Sequence, residues 1–419
     1  MIALNERRTQ VLVLGGGPAG STAAALCAQA GLKTVLVERE KGPRFHIGES
    51  LMPDTYHTLR RLGVIERMKG SRHTPKFSVQ FVTETGKESQ PFYFFENNPH
   101  ESAQTWQVVR SEFDSMLVDN ARVHGAMVLE GHSARDVHME NGKAMGARLI
   151  PKNGSEFDIA ADVVIDATGQ TALIANKLGL KKPDPLLRKS SIWTYYEGAT
   201  REPGRLDEGA TLVLATKGKK GWFWYIPLKD NIVSVGVVSG LEDLFPPGGA
   251  RDLGAIFHEQ LECCPAAKKR VMPGKQVGPF YSTKDFSYRC DHVAGDGWVL
   301  VGDAFGFLDP IYSSGVFLAL KSGEMAADAV INGFSSGDLS GKTLGDWGPR
   351  YLQGMDRMKR LVYAFYEGFN FGAFIRKHPE MKRHLIDLLI GDLFKDSVDE
   401  IIAPLDAMRA EMLTMPSAV

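Results

Sequence analysis

The amino-acid sequence predicts an α/β fold in which a parallel-sheet domain is interrupted by a mainly antiparallel β-sheet and closed by a helical C-terminal region. Three observations predict it. The chain opens with a short apolar run, Val11-Leu12-Val13-Leu14, followed at once by the turn Gly15-Gly16-Gly17-Pro18-Ala19-Gly20. The same buried-strand pattern returns at Val163-Val164-Ile165-Asp166-Ala167-Thr168-Gly169 and at Trp298-Val299-Leu300-Val301-Gly302-Asp303. Between and after these runs the periodicity changes, first to β-type alternation and then, from Ser314 onward, to helical spacing.

Taken in order, residues 9–38 read as one βαβ unit. The first run is continuously apolar, as in a strand covered on both faces. Residues 21–30 are rich in alanine and suit a helix packed close to a sheet, and Thr34-Val35-Leu36-Val37 forms the second strand. Alternating and β-branched runs near 77–82, 191–196, 211–215, 222–227 and 232–238 predict the second sheet. Helical segments follow at 316–331, 351–375 and 381–389, punctuated by Gly333, Gly337 and Pro379. The expected division is a discontinuous nucleotide domain (1–75, 100–180 and 285–335), a β-sheet substrate domain (76–99 and 181–284) and a helical region (336–419).

Composition narrows the function classes. The 419 residues are enough for two or three fused subdomains. A net charge of -1 gives no long-range field for nucleic acid or an acidic membrane. The four cysteines, Cys27, Cys263, Cys264 and Cys290, lack metal-ligand spacing and suit a reducing compartment. The apolar stretch 11–32 is broken by glycines, so it is no membrane span, and no leader precedes the first strand. The expectation is a soluble cytoplasmic protein without a metal.

The glycine turn has the G-x-G-x-x-G form of a Rossmann-like dinucleotide site. Gly15 permits the tight turn, Gly17 lets backbone approach a pyrophosphate, and Gly20 lets helix and strand pack closely. Pro18 and Ala19 open a helix whose free amides and dipole face the phosphates. Glu38, ending the second strand with Arg39 beside it, is placed to accept hydrogen bonds from an adenosine ribose. Arg110, Asp166-Ala167-Thr168-Gly169 and Gly302-Asp303-Ala304 come in the order and separation of the FAD monooxygenase-like superfamily, which they resemble. That resemblance implies FAD, with Arg110 reaching the flavin nucleotide, Asp303 holding the ribityl chain or ribose, and Ser50 and Gly315 also at the cofactor. No second dinucleotide fingerprint is visible. A separate reductase, or NAD(P)H docking transiently, would reduce the flavin.

Two further motifs specify what the flavin is for. Trp222-Phe223-Trp224-Tyr225-Ile226-Pro227 fits W-x-W-x-I-P, and Phe307-Leu308-Asp309-Pro310-Ile311-Tyr312-Ser313-Ser314-Gly315 fits F-x-x-P-x-x-S-x-G. Both resemble the flavin-dependent halogenases, nearest the branch acting on phenols or on pyrroles tethered to carrier proteins. Lys76 stands where that family carries its essential lysine, one strand beyond Gly48-Glu49-Ser50. The resemblance implies a wall of Trp222, Trp224, Ile226 and Pro227, with Phe307, Pro310 and Ser313 continuing it. A halide, chloride or bromide, would sit at Ser314 and Gly315. Oxidised halide would then travel to Lys76, as hypohalous acid held by the ammonium or as a haloamine. The electron-rich ring would meet it there.

Each element also has a plainer reading. Trp222 and Trp224 alternate onto one sheet face, so core packing alone accounts for them. The Ser313-Ser314-Gly315 turn would serve as a helix cap, and its amides equally as a halide nest. Tyr312 lines the substrate pocket where tryptophan-halogenating relatives carry a glutamate. The tyrosine is no base at neutral pH, which disfavours free tryptophan and favours a pre-activated phenol or pyrrole. An exposed apolar patch within 351–389 would favour a carrier-bound substrate. The rival readings are an FAD-dependent aromatic hydroxylase, a geranylgeranyl reductase-like saturase and a non-catalytic flavoprotein.

Overall fold

The computed structural model describes residues 7–96, 99–246, 252–284 and 286–414. Its first sheet runs in the order Ala294–Gly295, Trp298–Leu300, Phe157–Asp166, Arg8–Leu14, Thr34–Glu38, Met127–Glu130. Arg8–Leu14 lies at the centre, parallel to both neighbours, with Leu14 opposite Val37 on one side and Asp166 on the other. Val11 to Leu14 are fully buried, as a strand covered on both faces must be. Helix Pro18–Gln29 packs on one face, and the long helix Ser314–Ser336 packs against it. Their approach is close enough that a Cβ on Gly323 would lie 2.3 Å from the Ala19 carbonyl oxygen.

A hairpin of His132–Glu140 and Lys143–Pro151 adds antiparallel strands to this sheet through Phe157–Asp166. The periodicity reading does not single it out. On its first strand only Val137 is fully buried, and Arg135, Asp136 and His138 surround it, so the apolar contrast there is weak.

The second sheet has seven strands in the order Lys275–Lys284, Lys189–Glu197, Ile232–Gly240, Gly221–Pro227, Thr211–Ala215, Ser78–Val82, Phe92–Tyr93. All neighbours are antiparallel except Thr211–Ala215 against Ser78–Val82. Alternation sorts its side chains onto two faces. Phe223, Tyr225, Val235 and Val237 pack with Ile256 and Phe257 on one side. Trp193, Trp222, Trp224 and Ile226 pack on the other. Gly236 makes room for that second face, since a Cβ there would lie 2.2 Å from the Trp224 ring.

Lys76 belongs to neither large sheet. Its strand, Thr74–Lys76, pairs with Thr105–Gln107 in a separate two-stranded ribbon. The C-terminal helices Gly348–Tyr366, Phe371–Lys377, Lys382–Ile390 and Ile402–Thr414 complete the molecule. Gly348–Tyr366 joins the layers, placing Met358 and Leu361 in the main core and Val362 against the tryptophan face. Among the described residues, no large apolar side chain within 351–389 is exposed, so the helical region lacks the patch the sequence reading asked for. Among the described residues, no helix is long and apolar enough to cross a membrane.

Candidate active site

The glycine turn is shaped by contacts that only glycine allows. Gly15 has φ +111°, and a Cβ on it would lie 2.2 Å from the Ala167 carbonyl oxygen. A Cβ on Gly20 would lie 1.9 Å from the Gly15 carbonyl oxygen. Gly17 differs, because its Cβ would meet nothing closer than the Arg44 guanidinium at 3.3 Å. The open side of the turn is therefore at Gly17. Helix Pro18–Gln29 starts there with Pro18 in its first turn, no side-chain cap and no acidic first-turn residue, leaving its amides for an anion.

Glu38 is buried and turned back to the loop, accepting from the Gly16 amide at 2.8 Å and the Glu40 amide at 3.0 Å. Arg39, expected at the cofactor, is exposed, and its nearest charged partner is Glu40 at 4.0 Å. Arg44 takes the place over the turn instead. It lies between two carboxylates, 3.4 Å from Glu38 Oε2 and 3.4 Å from Asp114 Oδ2. A guanidinium held over a glycine turn and an open helix end fits a pyrophosphate. Sequence reading missed it because an arginine six residues past a strand carries no spacing signal.

Arg110 is buried rather than a surface residue. It donates to both oxygens of Asp114, at 2.9 and 3.0 Å, and to the Ile47 carbonyl at 2.5 Å. Gly48 sits at φ +99°, backbone that L side chains rarely adopt, and a Cβ there would lie 2.9 Å from the Arg110 guanidinium. The Asp303 carboxylate accepts no hydrogen bond among the described residues, and burial pushes it up to about 6. Such an acceptor, facing the field of Arg110, fits a hydroxyl-rich ligand. Asp166, by contrast, is fully used by its own loop, accepting from Thr168 and from the Ile174 amide at 2.7 Å. The residues present thus fit a dinucleotide such as FAD.

The two motifs, at 222–227 and 307–315, come together in the fold. Trp222, Trp224, Ile226 and Ile311 share one buried cluster, with Ile47, Phe307 and Tyr312 packed against it. Trp224 donates its indole N–H to Ser234 Oγ at 3.1 Å. Beside that serine, on the next strand, the Tyr195 hydroxyl donates to Glu49 at 2.9 Å. Glu49 itself is buried, its Oε2 has no partner among the described residues, and desolvation pushes it up to about 7. Pro227 ends the strand and is buried.

Motif two closes on a strained turn. Ser313 sits at φ +58°, ψ 25°, left-handed backbone that a β-carbon disfavours. Its amide donates to the Pro310 carbonyl at 3.0 Å. The side chain makes no cap bond to the helix that begins at Ser314, so the capping reading does not account for this serine. The first amides of that helix remain available to an anion. Ser314 is buried, and Gly315 is required by Phe307, whose ring would lie 2.9 Å from an added Cβ.

Lys76 is 2 % exposed. Its Nζ donates to Ser50 Oγ at 2.9 Å and to the Leu51 carbonyl at 3.0 Å, with the Phe94 ring centroid 5.4 Å away. Ser50 is held in turn by Thr211 at 2.9 Å, and Thr211 by Gln107 at 2.8 Å. All of these partners are neutral, and burial pushes the amine down to about 7. Lys76 shares one cavity with Ile311, Tyr312 and Ser313, bounded by Phe81, Phe92 and Phe94. Its enclosed space is about 30 Å³, room for one water-sized molecule. A larger cleft of about 310 Å³ lies beside Phe77, Tyr56 and Trp106, but neither Lys76 nor any motif residue lines it.

Known proteins resemble this chain over most of its length. The FAD binding domain family model matches residues 8–219, half of the chain. A 1H-pyrrole-2-carbonyl-[peptidyl-carrier protein] brominase of Pseudoalteromonas luteoviolacea is 30% identical, covering 92% of this chain and 92% of its own length. The chain belongs to the flavin-dependent halogenases. A 1H-pyrrole-2-carbonyl-[peptidyl-carrier protein] chlorinase of Pseudomonas fluorescens is 29% identical over 96% of this chain and 95% of its own length. Among solved structures, the flavin-dependent brominase Bmp2 superposes with TM-score 0.86 at 28% identity, covering 97% of this chain and 100% of that one. The myxobacterial chondrochloren halogenase CndH superposes with TM-score 0.80 at 28% identity, covering 98% of each chain. This halogenase is therefore an FAD-dependent oxidoreductase that uses halide, and the hydroxylase, saturase and non-catalytic readings fall away.

Proposed function

We propose that this halogenase transfers oxidised chloride or bromide, through Lys76, to a pyrrole ring carried on a peptidyl carrier protein. The observation that carries the proposal is the cavity shared by the buried Lys76 amine and the Ile311-Tyr312-Ser313 turn. Reduced FAD supplies the activated oxygen that converts halide to hypohalous acid. The chain's own residues do the rest. Gly17, the amides after Pro18, Arg44, Arg110 and Asp303 hold the cofactor, with Glu38 fixing the glycine turn. The amides at Ser314 and Gly315 hold the halide at the positive end of the helix Ser314–Ser336. Trp222, Trp224, Ile226 and Pro227 exclude the organic substrate and water from the oxidant.

The Lys76 amine then receives the halogen: an N–X bond forms, the O–X bond breaks, and the hydroxyl leaves as water with an amine proton. In the second step the ring carbon takes the halogen, the ring proton leaves, and the amine is restored. No carboxylate stands at Tyr312 to accept that proton, which suits a ring already activated toward electrophiles. A pyrrole fits this better than an indole. The walls at Phe81, Phe92 and Phe94 are aromatic and the enclosed space is small, which favours the smallest electron-rich ring and requires these side chains to part for it. The carrier-bound form is favoured by the pyrrole halogenases similar to this chain over nearly its whole length. A separate flavin reductase supplies reduced FAD, since the sequence holds one dinucleotide fingerprint. Four unpaired cysteines suit the cytoplasm.

The test offers the holoenzyme reduced FAD, oxygen and halide, with pyrrole-2-carbonyl loaded on a carrier protein, free pyrrole-2-carboxylate or simple phenols. Halogenated product is expected on the carrier and little on the free acid. Efficient halogenation of a free phenol with none on the carrier would replace the substrate assignment.

A further inference from the structure

The helix Gly348–Tyr366 lies outside the residues matched by the FAD-domain family, yet its last residue stands between the two halogenase motifs. The Trp222 indole N–H donates to Tyr366 Oη at 3.1 Å. The Tyr366 hydroxyl donates to Asp309 Oδ2 at 2.9 Å, and the Ile311 amide donates to Asp309 Oδ1 at 2.9 Å. One side chain from the C-terminal region thus links the wall tryptophan to the loop that forms the Ser313-Ser314-Gly315 turn. Asp309 is 1 % exposed, and the Lys189 ammonium sits 4.2 Å from the Tyr366 ring centroid. Each carboxylate oxygen of Asp309 is engaged by one donor.

A buried carboxylate four residues before Ser313 would oppose an anion at the turn if it were free to swing toward it. We infer that Tyr366 is a positioning residue for the halide: its hydroxyl pins Asp309 away from the Ser313-Ser314-Gly315 turn and fixes Trp222 against the same loop. The inference rests on the halide assignment made above. It also gives the helical region a part in halide selection that the motifs alone do not reveal.

Tyr366→Phe keeps the ring, its packing and the Lys189 contact while removing only the hydroxyl. The variant is expected to raise KM for bromide about tenfold with kcat at saturating bromide nearly unchanged, the size expected from losing a hydrogen bond to a charged group. Bromide titration of the oxidised holoenzyme, read by flavin absorbance, should show the same tenfold weakening. FAD affinity should stay at the wild-type value, while Tm should fall by a few degrees because the buried Trp222 N–H and Asp309 carboxylate each lose a partner. A fall in kcat and Tm with an unchanged bromide midpoint would mean a merely structural role and overturn the inference. Anomalous scattering from crystals of the holoenzyme soaked in bromide separates the two claims. If bromide sits at the turn and Tyr366→Phe does not weaken it, the Tyr366 inference fails alone. If no bromide sits at the turn, both readings fail.

Discussion

Lys76→Ala is expected to abolish halogenation, lowering kcat/KM by about 10³-fold or more, while FAD binding and hydrogen peroxide release continue. The magnitude is that of removing a positioned group that handles protons or carries the reacting atom. The separation of effects follows from geometry. Lys76 touches Ser50, Leu51 and Phe94, none of which is in the glycine turn or the tryptophan wall; Ser50, expected at the cofactor, keeps its Thr211 partner without the amine. Lys76→Met keeps most of the buried volume without the amine and should be equally inactive, with a Tm near the wild type. The pH profile follows from the same burial. No carboxylate offsets the desolvation that pushes the amine down to about 7, so the neutral form is the one the site favours. Transfer through a haloamine therefore gains rate as pH rises through about 7. A profile falling over that range would support the ammonium route instead.

The second large effect concerns the cofactor turn, where two glycines should fail differently. Gly17→Ala places its Cβ on the open side at an ordinary φ of -74°, so the protein folds, but the methyl occupies space that backbone must leave for the pyrophosphate. FAD affinity should fall on the order of a hundredfold, about 2.7 kcal/mol, with little change in the Tm of the cofactor-free protein. Gly20→Ala drives its Cβ to 1.9 Å from the Gly15 carbonyl and 2.9 Å from the Ala167 Cβ. The helix would have to leave the strand, at about 1–3 kcal/mol for overpacking, so Tm and FAD binding should fall together. Calorimetry with and without FAD on both variants checks the contrast. Unaltered FAD affinity in Gly17→Ala would remove the turn from the cofactor site.

These expectations show what the sequence made legible. The βαβ unit, the two later buried strands and the antiparallel sheet were readable because burial on both faces, or on one, leaves a clear periodicity. The motif residues were readable because chemistry fixes their types at short range: three glycines in one turn, two indoles on one strand face. Residues that act across the fold were not. Arg44 covers Glu38 and Asp114 from a loop whose spacing is generic, while Arg39, nearer in sequence, points to no partner but Glu40. Tyr366 meets Trp222 across 144 positions, and nothing local to either residue announces the pair. Glu49 was within a quoted segment, but only burial against Tyr195 reveals a carboxyl with an unpartnered oxygen.

Everything distinctive here depends on keeping the ring being modified out of reach of the oxygen chemistry at the cofactor. The most direct measurement is mass spectrometry of a carrier-tethered pyrrole after single turnover of the reduced holoenzyme with oxygen, run with bromide and again without halide. The account predicts brominated pyrrole in the first case and unmodified pyrrole with hydrogen peroxide in the second. Hydroxylated pyrrole in the absence of halide would show that the ring reaches the oxidant directly, and would contradict it.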